Sequence, residues 1–401
     1  MSPANERVAL LRRAVQEAGV EALVCALPAN VLLLSGYWPV VGTAVAIVNR
    51  VGRVGVVAPA DERDLARAGW ADELHALGAG SLSDPRDALG LLRGPLAQCV
   101  RELELGPGTI GIEMGPVFEP ASYVAFNVYG ESLHEGLRWA LPSATFVSAE
   151  APLARLRAVL TAGELDRVRL ACRVAGEAFA QGRSRIGAGM TESEIAEGFR
   201  GPLASRGVAA PGVRRAEGFL FCMSGPNSAH AYGSHARSTA RAVVQGDLLL
   251  VHCNSCLDGY WTDITRTFSL GPPSGRVREL HAAVLAARAA ALAVIGPGVE
   301  AREVDRAARD ALASRGLGDA FKHSTGHGVG FAAIDHNAQP RLRPGSPDVL
   351  VPGMVCNVEP AVYLEDACGI RHCDMVAVTE DGIELLTPFQ ATLDELVAGE
   401  R

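Results

Sequence analysis

Four segments, far apart in the second half of the chain, carry clustered His, Asp, Glu and Cys residues, at 249–268, 323–337, 357–360 and 369–375. Such side chains are costly to bury without a partner. They are also the usual protein ligands of metal ions. If the four segments converge on one cation, the strands that carry them must meet within a single domain. This requirement constrains the fold more than any other feature of the sequence.

The first segment has the pattern of a β-hairpin, with an Asp-Gly turn at 258–259. His252 and Asp263 lie on its opposite arms. The turn alone does not fix the register, so either His252 or Asn254 can oppose Asp263. A structural alternative is that Asp263 forms an ion pair with Arg266 in the same strand.

The second segment contains His323, His327 and His336 beside several glycines. Two histidines four residues apart can share a helix face, but three glycines in eight residues disfavour a helix. We therefore predict a glycine-rich strand or loop that a substrate can approach. A single histidine here could be structural, whereas three within fourteen residues favour a functional site.

The last two segments place further polar side chains at strands. Glu359 ends an apolar strand, where a carboxylate is costly unless a cation compensates its charge. Farther on, Arg371 and Cys373 alternate with His372 and Asp374. Because alternate residues of a strand point to opposite faces, we expect one of these pairs to face inward and the other outward.

The 401-residue chain is long enough for two domains. Residues 1–150 alternate helix patterns with short apolar runs, such as 22–26, 31–34 and 54–57, which predicts an α/β domain. Residues 151–401 begin with two helices, each opened by a Thr-x-x-Glu capping box, and then turn mainly to strands. This second part is predicted to be an α+β domain with a mainly antiparallel sheet.

Composition argues against several classes of partner. The net charge is −8 and the sequence has no lysine- or arginine-rich block, so we expect no nucleic-acid partner. The apolar stretch 31–57 is interrupted by Gly, Pro and Asn, which predicts that it does not span a membrane. Nine irregularly spaced cysteines and an N-terminus unlike a signal peptide favour a reducing, cytoplasmic location.

The motifs, in order, resemble those of the pita-bread metallopeptidases, which include prolidase, aminopeptidase P, methionine aminopeptidase and the related creatinase. They are Gly-Asp-Leu-Leu-Leu, Asp-Gly-Tyr-x-x-Asp-Ile-Thr-Arg-Thr-Phe, His-x-x-Gly-His-Gly-Val-Gly, Glu-Pro and Gly-Ile-Arg-x-x-Asp. The resemblance covers nearly the whole chain. It implies an α/β creatinase-like N-terminal domain at residues 1–150 and an α+β pita-bread catalytic domain at residues 151–401.

The resemblance also implies a divalent-metal site with five ligand positions. Asp263, His327 and Glu359 match the family, whereas His252 and Cys373 stand where the family has Asp and Glu. Both replacements can bind metals, and such softer ligands favour zinc over manganese or magnesium. The lower negative charge predicts one tightly held zinc ion. A two-metal site with manganese or cobalt is the alternative.

Several catalytic and substrate-binding roles follow from the same resemblance. Glu359 matches the general base, and His323 and His336 match the histidines that bind substrate and stabilise the oxyanion, although His336 comes two residues later than usual. Arg371 is expected to bind a substrate carboxylate or to orient Cys373.

One further substrate-binding histidine is less firmly located by its spacing. Counting back from Gly246 selects His235, whereas counting forward from Gly225 reaches Tyr232. A three-residue insertion explains the difference, and we predict His235.

The implied function is hydrolysis of Xaa-Pro peptide bonds by a metal-activated water, as in proline dipeptidases and Xaa-Pro aminopeptidases. Substrates would be proline-containing di- or oligopeptides, and the resemblance implies a homodimer. One alternative is a non-peptidase member of the fold, either a creatinase-like C–N hydrolase or a lyase. Another is a non-catalytic binding module. Retention of Asp263, His327 and Glu359 favours the metallopeptidase.

Overall fold

The computed structural model describes residues 3–39, 44–78, 83, 87–114, 131–233 and 236–399. The chain divides into two compact units, and the division falls between Arg157 and Ala158. The prediction of an α/β domain followed by an α+β domain is confirmed. The predicted boundary at residue 150 stays a prediction. Within the described ranges, no helix combines the length and the hydropathy needed to cross a bilayer.

The N-terminal unit is built on a six-stranded mixed sheet. The strand order is β4-β3-β2-β1-β5-β6. The strands are β1 (Ala22–Cys25), β2 (Val45–Asn49), β3 (Val54–Pro59), β4 (Glu73–Leu77), β5 (Thr109–Ile112) and β6 (Thr145–Ser148). The helices are α1 (Pro3–Glu17), α2 (Pro28–Ser35), α3 (Arg63–Arg67), α4 (Ala88–Glu102), α5 (Glu131–Ala140) and α6 (Glu150–Ala158). The apolar run 31–34 therefore lies in a helix, which begins with a proline in its first turn.

The C-terminal unit opens with two long helices that begin at the predicted capping boxes. In each, the threonine hydroxyl accepts the backbone N–H of the glutamate three residues later, and the glutamate side chain accepts the backbone N–H of the threonine. The α-helices among the described residues of this unit are α7 (Ala162–Arg183), α8 (Glu192–Ala209), α9 (Gly275–Val294) and α10 (Ala301–Ala313). Apolar residues of α9 and α10, among them Val284 and Leu312, share one buried core with strand residues such as Leu250 and Val376.

Three small sheets are formed by the strands that the structure describes in this unit. One has the order β16-β10-β8-β7 with β9 beside β8, the second β11-β14-β15 and the third β12-β13. Their bounds are β7 (Ala216–Ser224), β8 (Leu248–Leu257), β9 (Tyr260–Trp261), β10 (Ile264–Leu270), β11 (Val355–Val358), β12 (Ala361–Leu364), β13 (Cys368–Arg371), β14 (Asp374–Val378), β15 (Ile383–Leu385) and β16 (Val397–Ala398). An isolated bridge between Thr265 and Cys373 joins β10 to the chain between β13 and β14.

The hairpin register left open by the sequence is now defined. Strand β8 pairs with β10 so that His252 faces Thr265 and Cys253 faces Ile264. The same register, continued by one pair, puts Asn254 opposite Asp263. His252 and Asp263 are therefore diagonal neighbours on one face of the sheet, within reach of each other.

Arg266 points to the opposite face of β10 and does not pair with Asp263. Its side chain is fully buried, and Nη2 lies 2.7 Å from Asp374 Oδ1. Arg288 is a second partner of Asp374. Burial alone would raise the pKa of Asp374, but Arg266, His372 and Arg288 lower it well below its ordinary value. Asp374 and His372 thus form the pair that faces away from Cys373.

The histidine- and glycine-rich segment is extended rather than helical, as predicted. Gly326 and Gly328 form isolated bridges, the latter to Cys356 of β11. Gly326 packs directly on the neighbouring backbone, since a Cβ built on it would lie 2.0 Å from the Asn357 carbonyl oxygen. This close approach requires glycine, and it brings His327 next to β11.

We predict that Arg266→Met lowers the free energy of unfolding of the C-terminal unit by about 3 kcal/mol, because it breaks a buried ion pair and leaves Asp374 with less compensation. Denaturant unfolding followed by circular dichroism measures the change. The control is Arg276→Met, which removes an exposed arginine paired with Glu279 and should cost under about 1 kcal/mol. Equal effects of the two substitutions would contradict the prediction.

A second prediction concerns the close contact at Gly326. Gly326→Ala should destabilise the protein by at least about 2 kcal/mol, because the added methyl group must displace backbone. Gly187→Ala is the matched control, since nothing lies within 4 Å of a Cβ at that position and its effect should stay within about 0.5 kcal/mol. A Gly326→Ala protein as stable as the control would show that the two segments are not in contact.

Candidate functional site

Asp263, Glu359 and Cys373 form a buried cluster in the C-terminal unit. One potential ligand atom from each lies within 4.8 Å of the other two. Asp263 immediately precedes β10, Glu359 immediately follows β11, and Cys373 lies between β13 and β14. The Cys373 thiol is 3.2 Å from the Asp263 carbonyl oxygen and 3.6 Å from Asp263 Oδ1. Three segments that are distant in sequence therefore meet at one point.

His327 extends this cluster. Its Nε2 lies 3.4 Å from Asp263 Oδ2 and 3.8 Å from Glu359 Oε1. The other ring nitrogen, Nδ1, is 3.0 Å from the Gly328 carbonyl oxygen, to which it can donate only if it carries the proton. With the proton of Nδ1 assigned from this hydrogen bond, Nε2 is the ring nitrogen directed toward the carboxylates. Burial would lower the pKa of His327, but Asp263 and Glu359 raise it overall.

Asn357 holds two members of the cluster in place. Its Oδ1 accepts the backbone N–H of His327 at 2.7 Å. Its Nδ2 lies 3.3 Å from Asp263 Oδ2 and 3.2 Å from His327 Nε2. Asn357 comes two residues before Glu359 and is fully buried. The two-residue spacing was the one sequence signal that could have identified this residue.

His252 lies beside the cluster, with both ring nitrogens hydrogen-bonded. Nδ1 is 2.9 Å from Arg371 Nη2 and 3.0 Å from Thr265 Oγ1. Nε2 is 2.9 Å from Asn254 Oδ1. Because the guanidinium can only donate, Nδ1 is the acceptor and Nε2 carries the proton. His252 Nδ1 is also 3.6 Å from Asp263 Oδ1. Burial, opposed in part by Asp263, lowers the pKa of His252 to about 4, so the ring is neutral near pH 7.

Arg371 is buried, and its donors are directed to groups of the protein. Nε donates to Thr265 Oγ1 at 3.0 Å, and Nη1 lies 3.4 Å from the Tyr363 hydroxyl and 3.5 Å from the Ala231 carbonyl oxygen. Its Nε is 3.9 Å from Glu359 Oε2. The side chain is thus a fixed positive charge next to the acidic cluster.

The acidic groups resist ionising together. Burial, followed by the charge of Asp263, raises the pKa of Glu359 to about 7. Burial and the same carboxylates raise the pKa of the Cys373 thiol well above its ordinary value. Burial would also raise the pKa of Asp263, but His252, His327 and Arg371 lower it overall.

A divalent cation would reverse this penalty, since a metal favours deprotonated ligands. Two carboxylates, one thiol and one imidazole whose Nε2 is directed toward the carboxylates are a donor set that fits such an ion, and sulfur with imidazole is typical of zinc. His327, Glu359, Asp263 and Cys373 are the residues that could hold it.

A cavity of about 290 Å³ opens onto the cluster. Phe219, Phe221 and Tyr232 contribute aromatic surface, while His323, His327 and His336 contribute polar surface. Phe219 is 56% exposed, so the aromatic surface reaches solvent. The cavity therefore combines apolar and hydrogen-bonding groups around a charged centre, as small-molecule sites do.

The two outer histidines are neutral near pH 7. Burial and then Arg371 lower the pKa of His323 to about 3, and burial and then His327 lower that of His336 to about 4. His323 Nε2 lies 3.0 Å from the Tyr363 hydroxyl. The His336 ring packs edge-on against His327, with centroids 5.1 Å apart. The other His323 nitrogen, Nδ1, donates to the Ser324 carbonyl oxygen at 2.8 Å, so Nε2 accepts from the Tyr363 hydroxyl. Both histidines are thus uncharged hydrogen-bonding groups of the cavity lining.

The structure brings most of the predicted site residues together. The cavity lining includes His252, Asp263, His323, His327, His336, Glu359 and Arg371. Cys373 is buried against Asp263. His235 lies outside the described residues, so its predicted role is not tested. Tyr232, the other residue suggested by the spacing, lines the cavity.

Two buried acids that sequence reasoning missed form hydrogen bonds to the segments that carry cavity-lining residues. Glu192 accepts hydrogen bonds from Ser224 and Thr239, at the two ends of the chain segment that includes Tyr232. Asp305 accepts two from Thr325, between His323 and His327. Neither acid belongs to a motif, and each gives only an isolated charge in a helical pattern as its sequence signal.

Comparisons with known proteins agree with this architecture. Residues 7–159 match the creatinase/prolidase N-terminal domain, and residues 166–380 match metallopeptidase family M24. An Xaa-Pro dipeptidase from Bacillus anthracis has the same fold, with a TM-score of 0.78, 24% identity and coverage of 98% of this chain and 99% of that one. Dipeptidase PepE from Mycobacterium ulcerans gives a TM-score of 0.75, 26% identity and full coverage of both chains.

Curated relatives match over shorter stretches. The Xaa-Pro dipeptidase of Pyrococcus furiosus is 32% identical over 238 residues, which are 59% of this chain and 65% of that protein. The probable dipeptidase PepE of Mycobacterium tuberculosis is 35% identical over 231 residues, 57% of this chain and 58% of that protein. The chain belongs to metallopeptidase family M24, a family of divalent-metal peptidases, and combines its catalytic domain with a creatinase/prolidase N-terminal domain.

Proposed function

We propose that this protein is a metal-dependent hydrolase that cleaves Xaa-Pro peptide bonds. The observation that carries the proposal is the meeting of Asp263, His327, Glu359 and Cys373 in one buried cluster, of which the first three line a cavity of about 290 Å³. These four residues would hold one zinc ion. A bound divalent cation would polarise the scissile carbonyl and make a water molecule a stronger nucleophile.

Glu359 is the general base in this proposal. It accepts the proton of the attacking water and returns it to the leaving nitrogen of proline. Asn357 keeps Asp263 and His327 in position while Glu359 exchanges the proton.

Substrate binding is assigned to the outer part of the cavity. His336 is a neutral hydrogen-bonding group for the carbonyl oxygen as it gains negative charge. The same predicted role of His323 requires a change of its hydrogen bonds, because its Nδ1 donates to the Ser324 carbonyl oxygen at 2.8 Å. The aromatic side chains of Phe219, Phe221 and Tyr232 offer an apolar surface for a proline ring. His235 remains the predicted further substrate-binding residue.

We base the Xaa-Pro specificity on the relatives that are named Xaa-Pro dipeptidases. The proposal covers both a dipeptidase and an aminopeptidase activity. Arg371 directs its donors to His252, Thr265, Tyr363 and Ala231, and its binding of a substrate carboxylate stays a prediction. The homodimer and the cytoplasmic location stay predictions.

We predict that the zinc-loaded protein hydrolyses a dipeptide such as Gly-Pro, a tripeptide with proline in second position, or both. Glu359→Gln should lower kcat by about 100-fold or more, because the variant has no general base. Product formation by chromatography, with added zinc or manganese, measures both. Glu365→Gln, at an exposed position outside the cavity, is the control and should keep full activity.

The contrary outcome is a folded, metal-loaded protein that cleaves neither peptide. Turnover of creatine under the same conditions would then favour the creatinase-like C–N hydrolase. No turnover of any of these compounds would favour a binding module.

A further prediction tests Cys373 as a ligand. Cys373→Ala should lose most of its bound zinc and most of its activity, because the metal loses one anionic ligand. Metal analysis after gel filtration provides the measurement, and cobalt loading of the native protein should give a thiolate-to-cobalt absorption band. Cys368→Ala, at a half-buried cysteine of β13, should retain both zinc and band. Full zinc content in Cys373→Ala would remove Cys373 from the ligand set.

A further inference from the structure

A chain of hydrogen bonds links Arg371, His252 and Asn254 along one side of the acidic cluster. Arg371 Nη2 donates to His252 Nδ1 at 2.9 Å, and His252 Nε2 donates to Asn254 Oδ1 at 2.9 Å. Asn254 Nδ2 is itself engaged with the Thr262 carbonyl oxygen at 3.2 Å, which fixes the orientation of the amide. All three side chains are buried, so these hydrogen bonds are sheltered from competing water.

This arrangement occupies both ring nitrogens of His252. A neutral histidine binds a metal through a nitrogen lone pair, and here the available lone pair, on Nδ1, accepts hydrogen bonds. His252 Nδ1 lies 3.6 Å from one carboxylate of the cluster, that of Asp263, whereas His327 Nε2 lies within 3.8 Å of both Asp263 and Glu359. The geometry therefore separates His252 from the metal-binding cluster.

The charges of the buried site also favour a single divalent cation. With Cys373 ionised, Asp263, Glu359 and Cys373 carry three negative charges. One divalent cation supplies two positive charges, and the Arg371 guanidinium, whose Nε is 3.9 Å from Glu359 Oε2, supplies the third. A second divalent cation would leave two uncompensated positive charges in a buried site, which is strongly unfavourable.

We propose that Arg371 is a permanent third positive charge that restricts the site to a single metal ion, and that His252 positions Arg371 instead of binding the metal. This inference rests on the proposed function in one respect, namely that the cluster holds a divalent cation. His252 is a positioning residue in this scheme.

Removal of the Arg371 guanidinium should change the number of metal ions that the site binds. His252 Nδ1 and Asp263 Oδ1 lie 3.6 Å apart, a separation that one ion can bridge. Without the guanidinium, His252 regains a free lone pair and the cluster loses a positive charge. Removing Arg371 should therefore create a second metal position between His252 and Asp263.

The experiment is to count zinc ions per chain, by calorimetric titration and by metal analysis of the dialysed protein. The native protein should bind one ion, Arg371→Met should bind two, and the double variant Arg371→Met/His252→Ala should return to one. Two ions in the native protein, or one ion in folded Arg371→Met, would overturn the proposal.

Because replacing a buried arginine can impair folding, His252→Gln in the native background is a second variant. Glutamine retains an acceptor for Arg371 Nη2. This variant should keep one zinc ion and, after cobalt loading, an unchanged thiolate-to-cobalt band. Loss of the bound ion from a His252→Gln protein whose circular dichroism is native would show that His252 is a ligand.

The two proposals fail in different ways. One bound ion without peptide cleavage would defeat the proposed function and leave the role of Arg371 standing. Cleavage of Xaa-Pro peptides by a native protein with two bound ions would support the function and defeat the role of Arg371.

Discussion

The structure of the catalytic unit depends on the cost of burying acids that cannot all be charged at once. Asp263, Glu359 and Cys373 approach one another away from bulk water, and burial and mutual repulsion raise the pKa of the last two. Among the described residues, Arg371 places a permanent positive charge beside this cluster, 3.9 Å from Glu359 Oε2. A divalent cation is the partner that allows the three groups to ionise together. Much of the surrounding architecture keeps them in place, including the Asn357 hydrogen bonds and the close backbone contact at Gly326.

The two faces of β10 show how the same fold handles charge in two ways. On one face, Arg266 and Asp374 form a fully buried pair that is complete within the protein, with hydrogen bonds from Arg266 to backbone carbonyls. On the other face, Asp263 lies in a cluster with excess acid and a cavity beside it. The first arrangement stabilises structure, whereas the second leaves binding capacity for a cation and a substrate.

Local sequence signals predicted those parts of the fold that local chemistry controls. Thr161 and Thr191 begin their helices with the expected capping boxes, and the Asp258-Gly259 turn has positive φ at both residues, as a tight hairpin requires. The apolar run 31–34 became part of a helix, because four apolar residues fit a short helix and a strand equally well. The register of the hairpin also had to come from the structure, since the two turn residues alone do not determine which residues of the two strands are paired.

The residue types of the candidate site could be predicted from the sequence, whereas most of their hydrogen-bond partners could not. Alternation along the chain anticipated that Arg371 and Cys373 would share a face, and the motifs indicated Asp263 and Glu359. The hydrogen bond from Arg371 to His252 joins residues 119 positions apart, so no local pattern could reveal that His252 has its lone pair engaged. Asp305 and Glu192, which support the cavity from helices, were invisible for the same reason.

The central claim is that the buried cluster holds one catalytic metal ion. X-ray diffraction from zinc-loaded crystals, recorded on both sides of the zinc absorption edge, tests it most directly. The account predicts a single anomalous peak per chain, bounded by Asp263, His327, Glu359 and Cys373. An absence of anomalous density among these four residues in fully loaded, active crystals would contradict it.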